Sequence, residues 1–346
     1  MHSLFSEIDV KLNGTLISSS NNTYPYRAYI ETLLSYGYDA KRSQLTSALY
    51  YKDVGGDDGF DEGDPTAATN TGMVKRNSFF RTGGIVPMQG PIHLDMMFQD
   101  RYLPSDVGMQ LRFVRSKDAF CLMSDMGNFR IKIHECKLLI RKAYISPSVF
   151  IAQAKAFEVG NAKYPIRRVV CKSYSIGAEM RDSVHEGLFT GQIPSRIVIG
   201  LVRNDAFNGT FDRNPFNFRN FNLSSIKIYV DGQTNSNIKT IECDFGNHQS
   251  LAGYLSLFSG SGKYRRDEGL DIDRQEYENG YTLFAYDLSP DLSEEGYFNL
   301  AKEGSIRVEL KFSQRLPTTV NVIAYAEFES IIEINREKQV LIDYAN

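Results

Sequence analysis

Residues Asn21–Gly37 read NNTYPYRAYIETLLSYG, and His248–Gly262 read HQSLAGYLSLFSGSG. The first stretch carries its own start and stop signals for a helix. Thr23 is placed to cap the amino end, Pro25 suits the first turn, and Gly37 suits a left-handed stop. Tyr26, Tyr29, Ile30, Leu33 and Leu34 recur at the three-and-four spacing of one buried helical face. Arg27, Glu31, Thr32 and Ser35 fall on the other side, which predicts a helix with half of its surface in water. The second stretch repeats the pattern. Ser250 takes the cap position, and Leu251, Tyr254, Leu255, Phe258 and Gly262 match Tyr26, Tyr29, Ile30, Leu33 and Gly37 at one constant offset.

Outward from these two helices the chain reads as strands. Phe5–Leu12 alternates loosely, and Asn13-Gly14 supplies the pair that turns a hairpin. Further strands are expected at Ala48–Tyr51, Ile92–Phe98, Met109–Arg115 and Phe129–Ile145, where Phe129, Ile131 and Ile133 oppose Arg130, Lys132 and His134. Between them Asp53–Gly72 has too few apolar residues to pack and reads as a long exposed loop. Ser148 is placed to cap a short helix over Val149–Phe157, closed by Gly160-Asn161 and Pro165. The second half gives strands at Arg168–Ile176, Arg196–Val202, Ile226–Val230, Thr282–Asp287, Ser305–Ser313 and Val320–Ile334. Both halves run strand, turn (Asn13-Gly14 or Asp231-Gly232), loop, helix, strand, and end on two long strands.

A repeat of this length is a duplicated domain rather than a solenoid unit. Many short strands with one helix in a fixed loop define an all-β fold with a few short helices, and for this strand number a jelly roll is the leading form. The expected division is a first jelly roll over 1–157, a linker over 158–166 and a second jelly roll over 167–346. Three strand-like runs precede Asp231-Gly232 but only one precedes Asn13-Gly14. The first barrel is therefore expected to lack its early strands, because the sequence begins late or because other segments complete it.

The 346 residues are 42% hydrophobic and 23% charged, values of a packed protein rather than a disordered one. The 22 Phe and 20 Tyr, with no Trp, favour pleated surfaces. A net charge of −3 gives no support to strong nucleic-acid binding. Two local basic patches, Arg167–Arg168 and Lys263–Arg266, read as solvated loops. Cys121, Cys136, Cys171 and Cys243 lack CxxC spacing and sit in or beside apolar runs, which predicts reduced, buried thiols and folding in a reducing compartment. The amino terminus has no signal-peptide pattern and no run approaches membrane-spanning length, so folding in the cytosol is expected and the sequons at Asn13, Asn21, Asn208 and Asn222 carry little meaning.

No catalytic, cofactor-binding or metal-binding set emerges. His2, His93, His134, His185 and His248 never form HxH or HExxH. His93 with Asp95, or His134 with Cys136, would share a strand face without an evident third ligand. Asp53–Asp64 fails the EF-hand order, since Glu62 stands where the sharp turn needs Gly. Asp271 and Asp273 are equally incomplete. Ser259–Lys263 imitates the end of a phosphate loop, but Leu257 replaces the leading Gly and Tyr264 the Ser or Thr. No GxSxG elbow is present.

Several segments have long, unusual wording: the opening helix, RSKDAFCLM (Arg115–Met123), NAKYPIRRV (Asn161–Val169), NPFNF (Asn214–Phe218), GYTLFAYDLSPDL (Gly280–Leu292) and TVNVIAYAEF (Thr319–Phe328). In this order they resemble the major capsid protein of Polinton/Maverick elements and adintoviruses. The resemblance implies a double jelly roll, two tandem β-sandwich barrels, with three chains forming a pseudo-hexameric trimer that tiles an icosahedral shell. It implies no enzyme activity, no cofactor, and as partners further copies of the chain and minor capsid or penton proteins. It places the protein in the virion, made in the host cytosol and assembled in host cytoplasm or nucleus. Members usually carry a stretch ahead of the HSLF segment that supplies the first barrel's early strands. Two other readings remain open: a binding module, either lectin-like or a vertex or receptor-binding capsid protein, and a jelly-roll enzyme that would need tightly bound metal.

Overall fold

Asn13 and Gly14 take positive φ of 45° and 86°, the turn that matches strand twist. They join β1 (Phe5–Leu12) to the short β2 (Thr15–Leu16). The computed structural model describes residues 1–18, 21–64, 69–80, 83–125, 127, 129–233, 239–289 and 302–342. Next come α1 (Tyr24–Ser35), α2 (Tyr38–Arg42), α3 (Gly56–Phe60) and α4 (Thr71–Ser78). β3 (Met109–Arg115) then pairs antiparallel with β1, giving a three-stranded sheet in the order β2-β1-β3. The short α5 (Asp118–Cys121) and the long α6 (Pro147–Val159) follow.

The second half is a two-sheet sandwich. β4 (Ala162–Ile176), β6 (Arg196–Arg203), β11 (Leu283–Asp287), β13 (Val320–Ile334) and β14 (Val340–Ile342) form one sheet, with β4 along the whole of β13. β5 (Asp182–Gln192), β12 (Glu303–Phe312), β8 (Leu223–Val230) and β9 (Ile241–Glu242) form the other, in that order. The small pair β7 (Phe218–Arg219) and β10 (Asn279–Gly280) and the helices α7 (Asn204–Asn208), α8 (Leu251–Gly260) and α9 (Arg274–Glu278) complete it. Ile306, Val308, Leu310 and Phe312 are buried, as their alternation predicts. Across the sandwich Phe328 meets Phe189 at 5.8 Å, and the Tyr286 hydroxyl donates to the Ile226 carbonyl at 3.1 Å.

The outer face of the larger sheet is also covered, which is why β6 is buried along nearly its whole length. α1 does much of this covering. Its Tyr26, Ile30 and Leu33 join the larger core cluster on that outer face, while Tyr24 and Ala28 pack with Ile8, Val10 and Leu12 of β1. The helix is a shared wall between two cores, not a cover of the first sheet with one wet side. Arg27 and Thr32, expected in water, are buried. Each fully buried aliphatic on α1 stabilises this wall by roughly 1.5–3 kcal/mol. α8 lies along β11, and Gly260 permits the approach: a Cβ there would fall 2.6 Å from that of Ala285.

Other expectations are corrected. Thr23 Oγ1 does not cap α1; it donates to the Cys171 carbonyl on β4 at 2.9 Å, so a tertiary bond replaces the local one. Ser250 likewise donates to Glu278 at 2.6 Å. Gly37 is not left-handed, whereas Gly262 is, with φ +67°. In place of a strand at Ala48–Tyr51 there is a 3-10 turn over Gln44–Ala48, ended by Leu49 at φ 59°. Ile92–Phe98 gives another, over Asp95–Phe98. Phe129–Ile145 pairs with no sheet among its described residues, and Phe129, Leu139, Ile140 and Tyr144 are exposed. The helix expected from Val149 begins two residues earlier at Pro147, with Ser146 in the cap position, and leaves no side chain buried. β4 starts at Ala162, within the stretch expected as a linker. β5 went unpredicted because Gly187, at φ 62°, breaks its pattern at a bulge opposite Ile306–Val308.

Asp53–Gly72 is not an exposed loop; its residues 65–68 lie outside the described ones. Phe60 is fully buried and meets Tyr281 edge-on at 5.1 Å. The acids around it anchor the first half to the second. Asp57 accepts from Arg219 Nε at 3.0 Å, Asp61 from the Asn214 amide at 2.9 Å, and the Asp53 carbonyl from the Tyr281 hydroxyl at 2.8 Å.

Candidate functional site

The polar surface of α1 faces a buried ionic box rather than water. Arg27 Nη2 reaches Asp95 Oδ1 at 2.6 Å and its Nε reaches Glu31 Oε1 at 2.8 Å. The other Glu31 oxygen meets His93 Nδ1 at 2.6 Å, and His93 lies 4.7 Å edge-on from His2. Asp95 also accepts the Val169 amide of β4 at 3.1 Å. Burial pushes the Asp95 carboxyl above its ordinary range despite Arg27, whereas for Glu31 the opposing pull of Arg27 and His93 outweighs burial and holds it low. Burial, with the neighbouring His93, lowers His2 to about 2, so its ring is neutral. His93 and Asp95, weighed above as metal ligands, are engaged instead by Glu31 and Arg27.

From the box the network runs outward. The Tyr325 hydroxyl on β13 lies 3.5 Å from Glu31 and donates to Glu327 at 2.8 Å, and Arg196 of β6 pairs with Glu327 at 3.4 Å. Here a cleft of about 290 Å³ opens between the carboxyl ends of α1 and α8, above the sheet. Ile30, Glu31 and Leu34 line one side, Arg167, Arg196 and Glu327 the floor, and Ser261, Lys263 and Arg266 the other side. The two basic patches read separately as solvated loops thus meet in one place. Arg168 does not join them; strand alternation turns it to the opposite face, 4.5 Å over the Phe328 ring. A sign of the cleft was present in the sequence: Arg167 shares a strand face with Val169 and Cys171, an odd position for a cation.

The remaining candidates are accounted for individually. Asp271 lies 3.8 Å from Lys52, and Asp273 with Glu276 forms a capping box on α9. Ser259–Lys263 ends α8. His134 and Cys136 share no strand face, and Cys136 is exposed, contrary to expectation. Cys171 and Cys243 are buried, which raises their thiols to about 12 and about 11. Among the described residues no group of three or more His, Cys, Asp or Glu is placed to hold a metal ion, and no helix is long and apolar enough to cross a membrane.

No family model matches the chain. A Caenorhabditis elegans protein, the uncharacterized protein F54H12.2, is 26% identical over 350 residues, spanning 99% of this chain and 80% of its own length. Among solved structures, a chain in the 3.5 Å cryo-EM structure of the Sputnik virophage is similar with a TM-score of 0.55 at 10% identity, covering 99% of this chain and 75% of that one. PBCV-1 VP54, fitted into a cryo-EM reconstruction of Sputnik, gives 0.54 at 9% identity, covering 100% and 84%. These likenesses define the class by fold: a mostly β chain with a few short helices, the double jelly roll.

Proposed function

We propose that this chain is a structural, non-enzymatic virion component, a major capsid protein of the Polinton/Maverick and adintovirus kind. The observation that carries the reading is the fold likeness over 99% of the chain to a chain of the Sputnik virophage structure. The sequence resemblance supplies the lineage. In this reading residues 1–157 and 167–346 are the two jelly rolls joined through 158–166, and three chains make a pseudo-hexameric trimer that tiles an icosahedral shell. In a double jelly roll, two similar barrels would let a trimer present six similar edges, so near-equivalent contacts repeat with closure.

The exposed apolar strip supports assembly. Phe129, Leu139, Ile140, Tyr144, Phe150 and Ile151 are all exposed, and exposed apolar surface is where subunit contacts form. We assign it to subunit contacts, where obligate interfaces bury large apolar areas. The protein then resides in the capsid, with other copies and minor capsid or penton proteins as partners. Sedimentation and negative-stain microscopy test the proposal. Trimers of the 39.2 kDa chain or hexagonal particles are expected, and a strictly monomeric species at high micromolar concentration overturns it.

A further inference from the structure

We propose that the bare segment around Lys137–Arg141 adds as an antiparallel strand to the free edge of β5 in a second copy of the chain. The inference deepens the assembly reading and rests on it, by naming two surfaces that meet. From Lys132 to Ile145 the chain has no helix, turn or bend, and its backbone groups have no hydrogen-bond partner among the described residues. Such a run of unpaired N–H and C=O groups is a template for another strand. Phe129–Ile145 is also basic, with Arg130, Lys132, Lys137, Arg141 and Lys142 against Glu135 alone. Two copies of it laid side by side would set cations against cations, so its partner is a different, acidic edge.

β5 offers that edge. It pairs only with β12 and ends its sheet. The Phe312 amide donates to the Arg181 carbonyl at 2.8 Å, so alternation points the backbone groups of Asp182, Val184 and Glu186 away from β12. All three side chains are exposed, Val184 at 47%. Beyond them the bulge at Gly187 and the Lys172 ammonium, which donates to the Leu188 carbonyl at 2.8 Å, close the edge to a longer strand. The free stretch reads acid, apolar, acid. On one face of an added strand, Lys137, Leu139 and Arg141 read cation, apolar, cation, and Leu139 is 73% exposed. Run antiparallel, Asp182 meets Arg141, Val184 meets Leu139 and Glu186 meets Lys137. Glu186 already reaches Arg307 at 3.1 Å and Lys137 reaches Glu135 at 2.9 Å, but these are surface pairs of little worth that yield to new partners. Because the two patches differ, the contact is heterologous, the type that closes several copies into a ring.

Oxidative cross-linking and sedimentation of the full chain test this. In the paired register, position 139 of one copy and 184 of the next lie about 5.5 Å apart at Cα, within disulfide reach. C136S/L139C/V184C should therefore give linked dimers and trimers on non-reducing gels, while C136S/L139C and C136S/V184C should stay single. K137E/R141E and D182K/E186K should each weaken self-association tenfold or more. The variant carrying all four charge reversals should recover it, a rescue that damaged folding cannot imitate. Wild-type trimers that give no 139–184 link, or that survive either charge reversal, overturn this contact and leave the assembly reading standing. Linking in C136S/L139C alone would set like segments together and also overturns it. A strictly monomeric wild type overturns both, whereas 139–184 links in open chains without trimers support the contact and remove the closed ring.

Discussion

Replacing Arg27 with Met should cost about 3–5 kcal/mol, the range for removing one partner of a buried ion pair. The geometry places most of that loss on one group. Glu31 keeps His93 at 2.6 Å, but Asp95 loses its 2.6 Å guanidinium and keeps only the Val169 amide at 3.1 Å. At about 4 kcal/mol the folded-to-unfolded ratio falls roughly a thousandfold. Guanidinium unfolding followed by circular dichroism reads it, with tyrosine emission as a second probe because the chain has no Trp. The sign with pH follows from the charge left behind. Burial already raises Asp95, and without Arg27 it rises further, so the variant regains stability as pH falls through that carboxyl, and its deficit is smaller at pH 5 than at pH 7. R27M/D95L should lose less than R27M, since it removes the stranded acid. A loss under about 1 kcal/mol for R27M, or an equal loss in the double variant, would refute the reasoning.

Lys41 Nζ is buried and donates to the Leu33 and Leu270 carbonyls at 3.0 and 2.5 Å, and burial lowers it to about 7. Because the unfolded chain holds that proton up to the ordinary lysine value, wild type should gain on Lys41→Met as pH rises above 7, by up to ~1.4 kcal/mol per pH unit in paired unfolding curves. Gly200→Val should cost about 1–3 kcal/mol by overpacking, since a Cβ there meets Leu283 and Phe218 at 2.6 Å; an unchanged denaturation midpoint would contradict this packing. Cys136 should react promptly with a thiol reagent in the native protein, while Cys171 and Cys243 should react only on unfolding, and uniform rates would contradict the burial assigned to them.

Much of the second half was legible because its strands alternate cleanly: Val320–Ile334 was bounded as observed, and Ser305–Ser313 to within two residues. The first half was harder for a physical reason. Ile92–Phe98 has strand composition, but Asp95 is drawn inward to Arg27 and the backbone turns to deliver it. Helical periodicity assigned Arg27 to water because it registers polarity, not the partner that makes burial of a charge tolerable. The acids of Asp53–Asp64 were similarly obscured, their partners Arg219 and Asn214 lying far along the chain. The cleft joins Arg167 to Lys263 and Arg266 through packing alone, and no local pattern encodes that meeting.

The central position of β13 also bears on how the chain is made. It leaves the ribosome well after β4 and β6, yet it pairs with both and with β14. Until β13 has emerged, β4 and β6 each present an unpaired edge. The nascent chain stays open to wrong partners until then, and folding waits on long-range loop closure. Ribosome-bound intermediates should be the species that chaperones hold, and yield in expression should depend on them more than on the stability of the finished molecule.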